Sequence, residues 1–234
     1  MNRIISPNYE IEDIRFADDF MRSGVLIGSA PDKNPADDSW SGNADISYPS
    51  FPASVANGVL DFPGSDPTDQ VNIGVGGVIN AVKMNIGRNN DNSQNIDVYM
   101  GVSDAVSRTG KLTNNTFTGV GIGLRTETNG TDIAVRVRTY LAGVVTTHQT
   151  FSEYLLLPAA SRFVNVIRSA TSFTQVYFSF DKKTRESIVR INSIENRVVI
   201  PQVNFDSLDF SGTRLFISGS ANTNGVNLAN LRVY

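Results

Sequence analysis

The feature that most constrains this chain is a rhythm of two. Ile96, Val98, Met100 and Val102 alternate with polar or small residues, which makes one face of the segment apolar and marks a half-buried strand. Val120, Ile122 and Leu124 repeat the pattern, with Gly119, Gly121 and Gly123 between them. After the turn "TETNGT" come Ile133, Val135 and Val137, interleaved with Arg136, Arg138 and Tyr140. The Asn-Gly pair in that turn predicts a hairpin. "RFVNVIR", "FTQVYFSF", "ESIVRI", "RLFIS" and "LANLRVY" continue the series, at the spacing of about 8–12 residues found in sandwiches and barrels. No segment has the longer period of an amphipathic helix.

"VNIGVGGVINAVKMNIG", residues 71–87, raises the question of a dinucleotide-binding turn. Such a turn needs a strand before it, a third glycine and a helix after it. Ile79 stands where the third glycine belongs, "PGSDPTDQ" upstream is a breaker-rich loop, and Gly87 ends the run too soon for a crossover helix. The apolar positions shift from odd (Val71, Ile73, Val75) to even (Val78, Val82, Met84, Ile86) at Gly76-Gly77, as an inserted β-bulge would make them do. Residues 71–87 are therefore expected to form a bulged strand without nucleotide affinity. Residues 81–103, broken by "RNNDNSQN", are expected to form a hairpin.

Composition removes whole classes of function. Twenty Lys and Arg against 23 Asp and Glu, a net charge of -3, make no basic stripe for nucleic-acid phosphates. There is no cysteine, which excludes disulfides, thiolate nucleophiles and Cys-based metal sites. No run approaches the 18 or so apolar residues of a membrane helix, and "MNRIISPNYEIEDIRF" lacks the apolar core of an export signal. At 234 residues the expectation is a single domain over 16–234, preceded by an N-terminal extension or attachment segment over 1–15. The irregular stretch 28–70 holds six of the nine prolines; long irregular stretches are usually functional or cover a core.

"FADDFMRSG", "FVNVIRSATSFTQVYFSFD" and the ending "LFISGSANTNGVNLANLRVY" resemble the concanavalin A-like lectin/glucanase jelly roll, including its laminin G-like branch and the versions found in tailed-phage virion appendages. The resemblance lies in strand order and hydrophobic rhythm. It implies an all-β, two-sheet antiparallel jelly-roll sandwich, often with glycan bound on the concave face or at loop tips. Members that cleave glycans carry clustered acids, Glu-x-Asp-x-x-Glu or close to it, on one concave strand, so that two carboxylates flank the glycosidic bond. No segment here has that cluster: Glu10 and Glu12 precede the first core strand, and Glu127, Glu153, Glu186 and Glu195 fall in or beside turns.

Several residues are candidates for binding. Trp40 and Tyr48, with Phe51, offer flat faces on which a sugar ring can stack; the competing reading is a loop pinned to the sandwich by its aromatics. Arg136 and Arg138, two apart on one strand face, suit carboxylates of an acidic glycan or of a neighbouring subunit. Asp18, Asp19, Asp66 and Asp69, together with Asp37 and Asp38, are the oxygen ligands that calcium would use, against a reading as solvated turn acids. The side-chain-free positions Gly119, Gly121 and Gly123 admit a second backbone or a ligand, or mark a bend in the sheet. His148, the only histidine, reads as a solvent-facing strand residue, since no nucleophile elbow accompanies it.

These subtractions lead to an expectation of a non-enzymatic virion structural or adhesion protein, a phage head or tail decoration. Its partners are other virion proteins, further copies of itself and cell-surface glycan, and it needs no cofactor beyond calcium. The alternatives are a cellular carbohydrate-binding module or lectin, located outside the cell, and a glycan hydrolase or lyase with an unrecognised site.

Overall fold

A computed structural model describes residues 14–43, 54–62, 70–88, 96–103, 119–126, 133–141, 144–152, 173–181, 183–191, 194–201, 213–221 and 226–234. In chain order its strands are β1 (Phe16–Asp18), β2 (Gly24–Val25), β3 (Ser41–Asn43), β4 (Ser54–Ala56), β5 (Val59–Phe62), β6 (Gln70–Gly74), β7 (Ala81–Arg88) and β8 (Ile96–Ser103). They continue with β9 (Gly119–Thr126), β10 (Ile133–Leu141), β11 (Val144–Ser152), β12 (Thr174–Asp181), β13 (Glu186–Ile191), β14 (Ile194–Val199), β15 (Arg214–Ala221) and β16 (Val226–Val233). No helix occurs among the described residues, so none there is long and apolar enough to cross a membrane.

The strands form two antiparallel sheets. One has seven strands in the order β11-β10-β9-β8-β15-β6-β3; the other has nine, β14-β13-β12-β7-β16-β5-β4-β2, with β1 also paired to β16. The alternation read in the sequence is the reason: in β13 Ser187, Val189 and Ile191 are buried while Glu186, Ile188 and Arg190 are half-buried. Val71, Ile73, Met100, Ile122, Val137 and Ile217 from the first sheet meet Val82, Met84, Ile86, Val176, Phe178 and Leu228 from the second in one core. Each such side chain contributes about 1.5–3 kcal/mol when buried, and with no disulfide to help, this packing holds the sheets together.

Two local expectations are corrected. Residues 71–87 are not one bulged strand: β6 lies in the seven-stranded sheet, β7 in the nine-stranded sheet, and Gly76-Gly77 is in the crossing between them. The apolar phase slips because the chain changes sheets, so the inward side of the second strand is reckoned from the opposite direction. Gly76 has φ +71°, and a Cβ there would lie 3.0 Å from the Ala36 nitrogen. Likewise 81–103 is not a hairpin, since β8 pairs with β9 and β15 rather than with β7. The hairpin expected around "TETNGT" is present as the full antiparallel pairing of β9 with β10.

Candidate functional site

Two places gather the residues singled out by the sequence. The first is the entry to the nine-stranded sheet. The chain leaves β1, returns beside it through mutual backbone hydrogen bonds between Ala17 and Lys33, and then pairs Gly28 and Ser29 with Trp40. This places the Trp40 ring against Phe16 and Phe20, with ring centroids 6.0 and 6.3 Å away. Trp40 is 1% exposed. It is therefore not a stacking platform for a sugar, and the reading of a pinned loop holds.

Asp18, fully buried, is the polar centre of this corner. Its Oδ2 accepts hydrogen bonds from Trp40 Nε1 at 2.7 Å and Arg22 Nη2 at 2.8 Å, and its Oδ1 from Arg22 Nη1 at 2.7 Å and the Phe20 nitrogen at 2.9 Å. Four donors occupy both oxygens, so Asp18 is not a calcium ligand. Asp19 turns instead to Arg232 Nη2, 2.5 Å away, and Asp38 Oδ2 accepts from the Gly74 nitrogen and from Arg214 Nη2. Among the described residues no three acidic or histidine side chains converge on a metal position. Tyr48, Phe51, Asp66 and Asp69 lie outside the described residues.

The second place is the outer face of the seven-stranded sheet. Because Val120, Ile122 and Val137 are buried in the core, Gly121 and Gly123 and their register partners Arg138 and Arg136 belong to the other face. Across the strands one row reads Thr147, Arg138, Gly121, Gly101, Phe216, Asn72 and Ser41. Its two halves differ. Toward β3, Asn72 Oδ1 accepts from Arg214 Nη1 and Ser41 Oγ, both at 2.8 Å, and Arg214 continues to Asp38. Phe216 is fully buried there yet stands apart from the inter-sheet core. This half is filled by the chain itself.

Toward β11 the face is more open: Arg136 and Arg138 are half-buried and Thr147 is exposed. The glycine row has a structural cause here. A Cβ on Gly121 would fall on the Met100 carbonyl oxygen and lie 3.0 Å from the Gly101 Cα, so β8 and β9 approach too closely for any side chain. Of the readings given for these glycines, a second backbone, a ligand or a bend, the close approach of a second backbone is realised at Gly121, and that backbone is the neighbouring strand's.

His148 departs from its expected place. It is the extra residue where the β10–β11 register shifts, Val137 facing Gln149 while Arg138 faces Thr147. Its Nε2 lies 2.7 Å from the hydroxyl of Thr139, and its partial burial lowers its pKa below the ordinary 6.5. A hydroxyl beside an imidazole is the start of a nucleophilic pair, but Thr139 is 3% exposed and out of a substrate's reach. The strands of this sheet hold one carboxylate, Asp97 in β8, which faces Arg125 in β9 and Ser220 in β15.

No family model matches the chain, and no curated protein sequence is similar to it. Solved structures are. A legume lectin-like domain from Entamoeba histolytica superposes with a TM-score of 0.56 at 12% identity, over 84% of this chain and 89% of that one. The fold is the concanavalin A-like jelly roll. The catalytic domain of an endo-1,3-beta-glucanase (laminarinase) from Thermotoga petrophila RKU-1 gives 0.55 at 12% identity over 95% and 97% of the two chains. The beta-glucanase of Bacillus licheniformis gives 0.55 at 9% identity over 94% and 96%. The concanavalin A-like architecture read from strand order is thus present. The expectation that the chain is not an enzyme is overturned: endo-glucanases recur among the structures sharing this jelly roll, so the missing Glu-x-Asp-x-x-Glu cluster does not decide the class.

Proposed function

We propose that the chain is a glycan-recognition jelly roll whose ligand lies on the outer face of the seven-stranded sheet, over β9 to β11. One observation carries this reading. The half-buried Arg136 and Arg138 of β10 and the exposed Thr147 of β11 place hydrogen-bond donors together on this part of the face, beside glycines of β9 that carry no side chain, while the rest of the face is occupied by Phe216 and the Arg214 network. Sugars are bound through such directional polar groups beside a close-fitting surface. The likeness to a legume lectin-like domain and to glucanases supports glycan as the ligand class. The test is a glycan array with the wild-type protein and an Arg136→Gln/Arg138→Gln variant. Binding by the wild type that the variant loses is expected, and unchanged binding in the variant would remove this face.

Hydrolysis is a second reading, favoured by the glucanase fold and by Asp97 standing in a central strand of the same sheet. A paired-carboxylate mechanism needs a partner acid about 5–9.5 Å away, supplied from outside the sheet's strands. Release of reducing ends from laminarin or lichenan, abolished by Asp97→Asn, supports it; no release from either glucan rejects it. We propose a virion appendage as the setting, on the cysteine-free composition and the polar turns such as "RNNDNSQN" and "TETNGT". Mass spectrometry of purified phage particles tests that setting, and absence of the chain from them rejects it.

A further inference from the structure

Among the described residues the two strand orders end on β2 and β14 and on β3 and β11. A terminal strand carries a row of backbone N–H and C=O groups with which another strand can pair. β2 and β3, of two and three residues, are too short to seat one, and β11 is broken by the register shift beside His148, which bends an edge away. β14 is regular: its six residues pair with β13 without a shift, from Glu186 opposite Val199 to Ile191 opposite Ile194.

The Ile200 nitrogen donates to the Arg185 carbonyl oxygen at 2.9 Å, and this bond fixes which way the backbone of β14 points. Antiparallel partners alternate between pairs that exchange both hydrogen bonds and pairs that exchange none. Counted from Arg185 and Ile200, the bonded pairs are Ser187 with Val198, Val189 with Asn196 and Ile191 with Ile194. Glu195, Arg197 and Val199 therefore aim their N–H and C=O away from β13, where the described residues offer them no backbone partner. Arg197 and Val199 are also exposed. The positions between, Ile194, Asn196 and Val198, carry no charge, so the edge lacks the inward charge that commonly bars a second strand.

Glu195 and Arg197 flank Asn196 with opposite signs. Two copies of β14 laid antiparallel about an axis at Asn196 bring Glu195 of each opposite Arg197 of the other, both with outward backbone groups. An axis at Glu195 or at Arg197 would set like charges against each other, and a slip of one residue in the pairing would set the outer face of one copy beside the inner face of the other. Both charges are already paired within the chain: Glu195 with Arg190 at 2.5 Å and with Arg197 at 2.6 Å, and Arg197 with Glu186 at 3.0 Å. The backbone thus supplies the attraction, and the charges choose the register.

We infer that β14 is a dimer edge, where a second copy of this chain pairs antiparallel through its own β14 and joins the two nine-stranded sheets into one. The two-fold axis stands perpendicular to that sheet, so both copies turn their seven-stranded sheets to the same side and would hold the ligand proposed for that face at two points.

The chain has no cysteine, so a single introduced one reports on its own surroundings. In this register residue 196 faces its copy in a non-hydrogen-bonded pair, with Cα atoms about 4.5 Å apart, within the range of about 4.4–6.8 Å that a disulfide spans. Asn196→Cys should form a covalent dimer on mild oxidation; Val199→Cys, whose two copies lie about 20 Å apart along the strands, should not. Size exclusion with light scattering should give twice the chain mass for the wild type at about 50 µM. Arg197→Pro removes an outward N–H from each copy and none that bonds β13. Folded by circular dichroism, it should dimerise at least about tenfold more weakly; if it does not fold, the cysteine pair decides. A monomeric wild type overturns the inference. So does a dimer that residue 196 does not cross-link, one that Val199→Cys cross-links as readily, or a folded Arg197→Pro variant that dimerises like wild type.

Discussion

Replacing Trp40 with Phe isolates one hydrogen bond in the buried corner of the nine-stranded sheet. The ring stays aromatic and keeps its neighbours Phe16 and Phe20, but Asp18 Oδ2 loses the 2.7 Å bond from Nε1. A hydrogen bond to a charged group contributes about 1.5–3 kcal/mol. Asp18 retains its three other donors, so the expected loss is near the middle, about 2 kcal/mol. For a chain of this size each kcal/mol moves the midpoint by about 2–4 °C, which gives a fall of about 4–8 °C in Tm. Trp40→Ala should cost more, about 3–5 kcal/mol for the lost volume alone. The assay is urea denaturation followed by far-UV circular dichroism, because Trp40 is the only tryptophan and its fluorescence leaves with it. Asp18→Asn alone and combined with Trp40→Phe completes a double-mutant cycle, where a coupling of at least about 0.5 kcal/mol is expected for partners in one network. A Trp40→Phe loss below about 0.5 kcal/mol, the range of an uninvolved surface site, would refute the account of this corner. Stability unchanged with glycan binding abolished would return Trp40 to the ligand.

Gly121→Ala should destabilise by at least about 1–3 kcal/mol, since its methyl group meets backbone atoms of β8 that have nowhere to move; a melting temperature equal to wild type would refute the close approach. Gly77→Ala should cost less, about 0.5–1.5 kcal/mol, because its methyl displaces only the Arg15 guanidinium and its bond to the Val78 carbonyl; the same urea titration checks the ranking. His148, with a lowered folded pKa, binds its proton more readily in the unfolded chain, so its contribution is complete above the ordinary 6.5 and declines as pH falls through the lowered value. Urea midpoints at about pH 5 and pH 7.5 should therefore differ more in wild type than in His148→Gln, and equal slopes would refute the assignment.

The sandwich was legible because period-two alternation depends only on which side of a strand faces a core, and that is written in adjacent residues. Strand partners were less legible. A slip in phase such as that at Gly76-Gly77 arises either from an inserted residue or from a change of sheet, and only the pairing of β6 with β15 and of β7 with β12 and β16 distinguishes them. The hairpin read over 81–103 failed for the same reason, while the "TETNGT" hairpin succeeded because its Asn-Gly turn is a local signal. Trp40 in a proline-rich stretch was open to two readings, a sugar platform or a pin for its loop; its partner Asp18 is 22 residues away, and nothing near either residue announces the other. Arg136 and Arg138 were legible as a pair on one face, but their partners across the ladder, Gly123 and Gly121, appear only once β10 has its neighbour.

The position of β16 also governs the order in which this chain can fold. One edge of β16 pairs with β7, and its other edge is shared by β5 at one end and β1 at the other. Fifteen of the described strands emerge from the ribosome before the one that joins these three, so the nine-stranded sheet cannot close until β16 has been made, and β1 must wait for a partner more than 200 residues later, Phe16 for Val233. Contacts of such long sequence separation make folding slow and leave strand edges uncovered meanwhile. Nascent chains stalled before residue 226 should thus remain protease-sensitive around β1 and β5 and become protected once β16 is released, which makes β16 the strand that closes the sheet.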